Sequence, residues 1–264
     1  MNTVKKKIES TVTQYKAWHI PQLHLPMAVS RLVPLKVKLF VERIYFFFMS
    51  KIKFRKEHIR YSQAWYEHVY HSADIYHLPE RDYQQVMSQS AEAGEIDSLL
   101  ESFAKFSLPE NEEINWLEIA CHHGKTPFTL VKKYQNVHFY MFDFSNVAVD
   151  WCKKYNPLPD HFTIWQGDVR DINHNGNKFD AFFDVITCLD VTEHLPRKTY
   201  YQAIKEIDRV CRFGGLLILK QGNVPLREHI NILEEEVLVK DFEKKGFSKI
   251  DELPNRCHVF KRIC

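Results

Sequence analysis

From about residue 114 onward the chain alternates short β-rich runs with segments of helical periodicity. That alternation admits few solutions, the foremost being a parallel sheet whose strands are joined by crossover helices. The β-rich runs are residues 114–120, 137–142, 162–166, 183–189 and 216–220. Helical segments are expected just after the first run and over 147–155, 197–211 and 234–245. Thr126 is placed to cap the first of these, with Pro127 at its first helical position, and Gly246 to end the last one in a left-handed cap. Two further runs, 248–252 and 257–263, flank Pro254 and Asn255, whose turn chemistry predicts a hairpin. The expected fold class is therefore α/β, a doubly wound, mostly parallel seven-stranded sheet with a C-terminal antiparallel hairpin.

Residues 1–105 lack this alternation and read as a helical N-terminal extension broken at Pro21, Pro26, Pro34 and Pro79. The expected division is a 1–105 extension that caps an acceptor site and a 106–264 ligand-binding domain. Charge divides along similar lines. Residues 1–60 hold 13 basic and 3 acidic side chains, a net of +10, against a whole-chain balance of +2. Residues 36–56 combine lysines and arginines with the run Tyr45-Phe46-Phe47-Phe48, which suits peripheral contact with an anionic membrane, or alternatively packing on the second domain. The apolar stretch 39–49 is interrupted by Glu42 and Arg43 and is short of the roughly 20 residues needed to span a bilayer. No CxxC pair occurs among the six cysteines, which read as reduced thiols, and no apolar leader core follows the first lysines. A cytoplasmic protein is expected, with peripheral association with a membrane surface as the alternative to a freely diffusing one.

Open parallel sheets bind ligands at the carboxyl ends of their strands. Here those ends are acidic: Glu118, Asp143, Asp168 and Asp190 follow one another at spacings of 25, 25 and 22 residues. A carboxylate after the second strand suits the hydroxyls of a ribose, the mark of a nucleoside-containing ligand.

At these residues the chain resembles the class I S-adenosylmethionine-dependent methyltransferases, over about residues 112–264. Leu117-Glu118-Ile119-Ala120-Cys121-His122-His123-Gly124 resembles their first motif, an acidic residue followed by glycines at every second position, of which Gly124 alone is kept. Phe142-Asp143-Phe144-Ser145 resembles the second motif and Gly167-Asp168-Val169 the third. The run from Phe183 to Leu195 and the segment from Glu206 to Leu219, with Gly214-Gly215, complete the pattern. The resemblance implies a Rossmann-like fold, S-adenosyl-L-methionine as cofactor and methyl transfer as activity. It also implies a binding set of Glu118, Ala120, His122, Gly124, Asp143, Phe144, Asp168, Val169 and Leu189. Within that set Glu118 is expected near the ammonium, Asp143 on the ribose, Asp168 on the adenine amine and Leu189 near the sulfonium. His122 replaces a residue at which the family keeps the backbone bare. Two outcomes stay open there: a loop of modified path whose histidines touch the ligand, or a pocket that no longer binds it.

His194 and His229 are the candidate catalytic residues, as general bases toward a hydroxyl acceptor, since imidazole titrates near neutrality. No metal site is expected, because Cys121, His122, His123 and His194 lack ligand spacing. The fourth-strand segment has no Asp-Pro-Pro-Tyr run of the kind associated with exocyclic-amine methylation of bases, and no recognition motif accompanies the basic extension. The expected acceptor is accordingly a small molecule or a lipid-linked glycan, methylated at O or N, with nucleic acid unexpected and the oligomeric state open. The alternative is a non-catalytic binding or scaffold protein with a degenerate pocket.

Overall fold

The computed structural model describes residues 63, 66, 67, 112–222, 229–253 and 257–264. The membrane-contact segment 36–56, the proline-punctuated extension and the hairpin turn at Pro254 and Asn255 lie outside the described residues. By its internal contacts the chain forms two compact units, residues 1–60 with 225–227 and residues 61–224 with 228–264. Every described residue belongs to the second.

Seven strands build one sheet: β1 (Ile114–Ile119), β2 (Val137–Asp143), β3 (Phe162–Gln166), β4 (Phe183–Leu189), β5 (Cys211–Lys220), β6 (Phe247–Leu253) and β7 (Cys257–Arg262), in the order β3-β2-β1-β4-β5-β7-β6. The first five are parallel, and β7 inserts antiparallel between β5 and β6. Four helices connect them: α1 (Lys125–Leu130), α2 (Asn146–Tyr155), α3 (Arg197–Val210) and α4 (Glu235–Glu243).

Strand residues alternate between the two faces, and the core divides accordingly. Leu117, Ile119, Leu217 and Leu219 join Tyr200, Ile204 and Ile207 of α3 and Phe242 of α4 in one apolar cluster. Ile114, Trp116, Phe139 and Ile218 join Phe128 and Leu130 of α1 and Cys152 of α2 in the other. Because both faces are covered, the central strands are largely buried, as in β4, where six of seven residues are buried, Asp184 and Thr187 among them. The doubly wound, Rossmann-like architecture expected from the sequence is the observed one.

Two local expectations are corrected. Thr126 does not cap α1; the N-cap is Gly124, at φ 75°, with no side-chain cap bond. Strand β5 begins at Cys211 rather than at residue 216, because Cys211 pairs with Phe183 before an irregularity at Gly214 and Gly215 restores the register.

The long link between β3 and β4 is clasped by Arg209 of α3. Its guanidinium donates to Ile172 O (2.9 Å), Asp180 (2.7 Å), Glu206 (2.6 Å) and Lys178 O. Glu206 in turn accepts from Ile172 N at 2.9 Å. Asn175, Phe179 and Ala181 of this link sit at positive φ, positions that a packed anchor has to hold.

Candidate active site

Strand order reverses between β1 and β4, which opens a crevice at their carboxyl ends. The loop after β1 shapes one wall. Ala120, His122 and Gly124 have φ of 57°, 49° and 75°, so every second residue is left-handed. This is the backbone that alternating glycines would adopt, kept here by two residues that carry side chains, each at a cost of about 1–2 kcal/mol. Gly124 is the position where substitution is blocked twice, by its φ and by the Phe128 ring, whose Cε2 lies 2.6 Å from where a Cβ would stand.

The His122 ring meets His123 edge-on, with centroids 4.5 Å apart and Nδ1 facing Nδ1. Burial, then the charge of Lys125, lowers the His123 pKa to about 4, so this imidazole is neutral. Lys125 is itself buried at the start of α1. Sequence reasoning passed over it, since a lysine opening a helix carries no pattern of its own.

Asp143 ends β2 and is 2% exposed. Its Oδ2 accepts from His122 N and its Oδ1 from Ser145 N, both at 2.9 Å. Burial raises its pKa to about 6 against the opposing pull of these amides. The Ser145 side chain caps α2 by accepting from Val147 N at 3.2 Å. Glu67 reinforces that cap, accepting from Ser145 Oγ (2.9 Å), Asn146 N (2.6 Å) and Val147 N (3.3 Å). Beside it Tyr66 sets its ring edge against Phe144, at 6.2 Å between centroids. An aromatic and polar cluster around these two residues is visible in the sequence, but nothing there marks its partner on α2.

Glu118 lies inside the crevice wall at 6% exposure, receives the Thr187 hydroxyl, and has its pKa pushed up to about 8 by burial. Thr187 is held by the Trp116 indole at 2.9 Å. Asp168, expected to face a ligand amine, is engaged by Arg170 in a fork of 2.5 and 2.9 Å. Val169 packs against the core and Leu189 is half-buried at the end of β4.

The opposite wall follows β4 and β5. Asp190, at φ 54°, pairs with Lys220 at 2.7 Å. The 3-10 turn Thr192–His194 then brings Glu193 and His194 to His229, whose Nε2 is 3.9 Å from Glu193 Oε1. The two imidazoles are edge-on at 4.8 Å. Amides of Ile230 and Asn231 donate to Glu193 O at 2.8 and 3.0 Å and latch the two segments together. His194 and His229 are thus neighbours, and Glu193, which sequence reasoning omitted, joins them.

A family model described as a methyltransferase domain matches residues 117–215, the stretch from β1 into β5 that carries the ends of the first four strands. Over these residues the chain is similar to the methyltransferase domain of the class I S-adenosylmethionine-dependent enzymes. Solved structures agree in fold. The CurJ carbon methyltransferase superposes with a TM-score of 0.54 at 16% identity, covering 67% of this chain and 56% of its own. The PH0226 protein of Pyrococcus horikoshii does so with 0.51 at 18%, covering 66% and 92%. Two curated relatives come from Schizosaccharomyces pombe: the tRNA N(3)-methylcytidine methyltransferase trm141, 26% identical over 116 residues (44% of this chain, 47% of the relative), and trm140, of the same description, 27% identical over 137 residues (49% and 43%). The matched stretch spans less than half the length of either.

The cofactor of the class is S-adenosyl-L-methionine, and the crevice fits it. A loop of left-handed backbone after β1, a buried carboxylate at the end of β2 and a buried lysine at the head of α1 lie at the carboxyl ends of these strands, and their chemistry suits amino-acid and ribose groups. Two expectations are overturned by the relatives, which are named for tRNA: the small-molecule or lipid-linked glycan acceptor, and the exclusion of nucleic acid. The error has a chemical root. A missing Asp-Pro-Pro-Tyr run speaks to exocyclic amines, whose lone pair is delocalised, whereas a ring nitrogen such as cytosine N3 is already nucleophilic. Among the described residues no helix is long and apolar enough to cross a membrane.

Proposed function

We propose that this domain transfers a methyl group from S-adenosylmethionine to an RNA acceptor of the tRNA class. The observation that carries the reading is the pair of relatives named as tRNA cytidine methyltransferases, whose similarity falls on a chain with the cofactor crevice described above. When bound, the cofactor supplies an electrophilic methyl group on sulfur. Asp143 takes the ribose hydroxyls with the lone pairs not used by His122 and Ser145. Glu118 faces the ammonium, whose charge favours the ionised carboxylate over the protonated form that burial imposes. Lys125 and the loop through Ala120, His122 and Gly124 receive the carboxylate, a task in which the six-residue α1 adds little dipole of its own. Phe144, Val169 and Leu189 give apolar contact, and Asp168 meets the adenine amine only by sharing its carboxylate with Arg170.

His194 and His229 stand on the acceptor side. A ring-nitrogen acceptor such as cytosine N3 needs no proton removed before transfer, so toward such a base they orient, while toward a hydroxyl they would also accept a proton. Methyl transfer in line with the leaving sulfur depends chiefly on positioning and on exclusion of water. Residues 106–264 constitute the transferase domain in this reading and residues 1–105 an acceptor-side extension, of which Glu67 and Tyr66 belong by their contacts to the same compact unit as the sheet. The free cysteines, with Cys121 Sγ and Cys152 Sγ unbridged at 3.9 Å, suit a cytoplasmic location.

The test is incubation of the full chain with methyl-labelled S-adenosylmethionine and total tRNA, followed by digestion to nucleosides. Label in a methylated cytidine is expected. Unlabelled RNA from a protein that binds S-adenosylhomocysteine would overturn the acceptor class.

A further inference from the structure

Glu193, His194 and His229 each present a ligating atom, and all three atoms lie within 4.8 Å of one another. Glu193 is 0% exposed. Its Oε1 accepts from Gly222 N at 2.8 Å, while its Oε2 is buried without a hydrogen-bond partner among the described residues. An unpaired carboxylate oxygen in a dry interior is costly, and it persists where something else satisfies it. The 3.9 Å from Glu193 Oε1 to His229 Nε2 is too long for a hydrogen bond. It approaches the separation of two ligands on one ion, since bonds of about 2.0–2.2 Å at tetrahedral angles put donors roughly 3.3–3.6 Å apart.

The surroundings hold these donors in place. A Cβ on Gly222 would stand 2.4 Å from Glu193 Oε1 and 2.9 Å from His229 Cε1, so a bare backbone is what leaves room for the cluster. Gln221 braces it from below, donating to Thr192 Oγ1 at 2.9 Å and accepting from Leu233 N at 2.8 Å. Asp190 adds negative charge nearby, offset by Lys220.

We propose that Glu193, His194 and His229 bind a divalent transition-metal ion on the acceptor side of the crevice. Two imidazoles and one carboxylate suit manganese, iron, cobalt or zinc better than calcium or magnesium. Three protein ligands leave coordination positions open to an acceptor oxygen, from a phosphate or a ribose hydroxyl. That last assignment rests on the RNA reading above; the metal site itself does not. The second grouping of such residues, Glu235, Glu252 and His258, is a natural contrast, because its carboxylates are exposed and already paired with Lys249 at 3.3 and 2.6 Å.

The experiment is titration of the full chain, stripped by chelator, with cobalt(II), followed by visible absorption and calorimetry, with circular dichroism to verify folding. One equivalent is expected to bind with the absorption of nitrogen and oxygen ligands. Glu193→Gln and His229→Asn should each weaken binding roughly tenfold or more, and His258→Asn should leave it unchanged. Absence of stoichiometric cobalt binding to the wild-type chain, or binding that both folded variants retain, overturns the proposal. S-adenosylhomocysteine titrated into the same samples separates the two readings. Its binding without cobalt overturns the metal site alone, and cobalt binding without it supports the metal site while overturning the cofactor reading.

Discussion

The backbone N–H of His122 donates to Oδ2 of Asp143 at 2.9 Å, joining the loop after β1 to the end of β2. The bond explains how a left-handed turn survives without its glycines. The neighbouring strand supplies a buried acceptor that offsets part of the conformational cost, so the carboxylate expected to meet ribose also fixes the loop that shapes the crevice.

His122→Gly should stabilise the ligand-free protein by about 1 kcal/mol, because glycine relieves the left-handed strain and keeps the amide that Asp143 needs. Urea unfolding measures the change. A loss of stability instead would show that the contact between the His122 and His123 rings outweighs the backbone term.

Asp143→Asn retains the volume but replaces one acceptor oxygen by a donor, which then faces a backbone amide. We expect a loss of about 1–3 kcal/mol in stability and at least a tenfold drop in S-adenosylhomocysteine affinity, about 1.4 kcal/mol, by calorimetry. Undiminished affinity would remove Asp143 from the cofactor site.

Buried acids make the ligand-free protein sensitive to alkali. Glu118 and Glu193 have folded pKa values raised from 4.5 to about 8 and about 7. Raised values mean that the folded state holds the proton longer, so their stabilising contribution is complete below about 4.5 and is lost as pH climbs through 7 and 8. His123, lowered from 6.5 to about 4, acts oppositely, losing stability as pH falls from 6.5 toward 4. Between pH 6.5 and 8.5 these acids lower stability as pH rises, and denaturation midpoints should fall. Glu118→Gln should flatten that fall and add on the order of 2 kcal/mol at the alkaline end; an unchanged slope would mean that Glu118 titrates normally.

Glu67→Ala should destabilise the domain by about 1 kcal/mol through loss of the acid at the head of α2, with partial rescue by Glu67→Gln. Equilibrium unfolding of the two variants separates the charge from the hydrogen bonds. Equal stability of wild type and Glu67→Ala would deny the contact any energetic role.

The strand runs were legible because both faces of the sheet are covered, which makes short, mainly apolar segments such as β4. Asp143 and Glu118 were legible because their place at strand ends follows from topology. Other features depend on tertiary neighbours that one sequence does not display. The left-handed His122 is braced by Asp143, 21 residues beyond it. The cap from Glu67 comes from 78 residues before Ser145. Glu193 was hidden by its neighbour: beside a histidine, a carboxylate with no periodic partner reads as an ordinary turn residue.

The Arg209 clasp has a consequence for how the surface wears. Between β3 and β4 runs a link with several left-handed residues and polar side chains, a composition that proteases ordinarily cut. One guanidinium ties it to α3 at Ile172, Lys178 and Asp180. Its resistance to cleavage therefore resides on a helix that the protease never touches, and Arg209→Lys, which keeps the charge but not the fork, should turn the whole link into a nicking site.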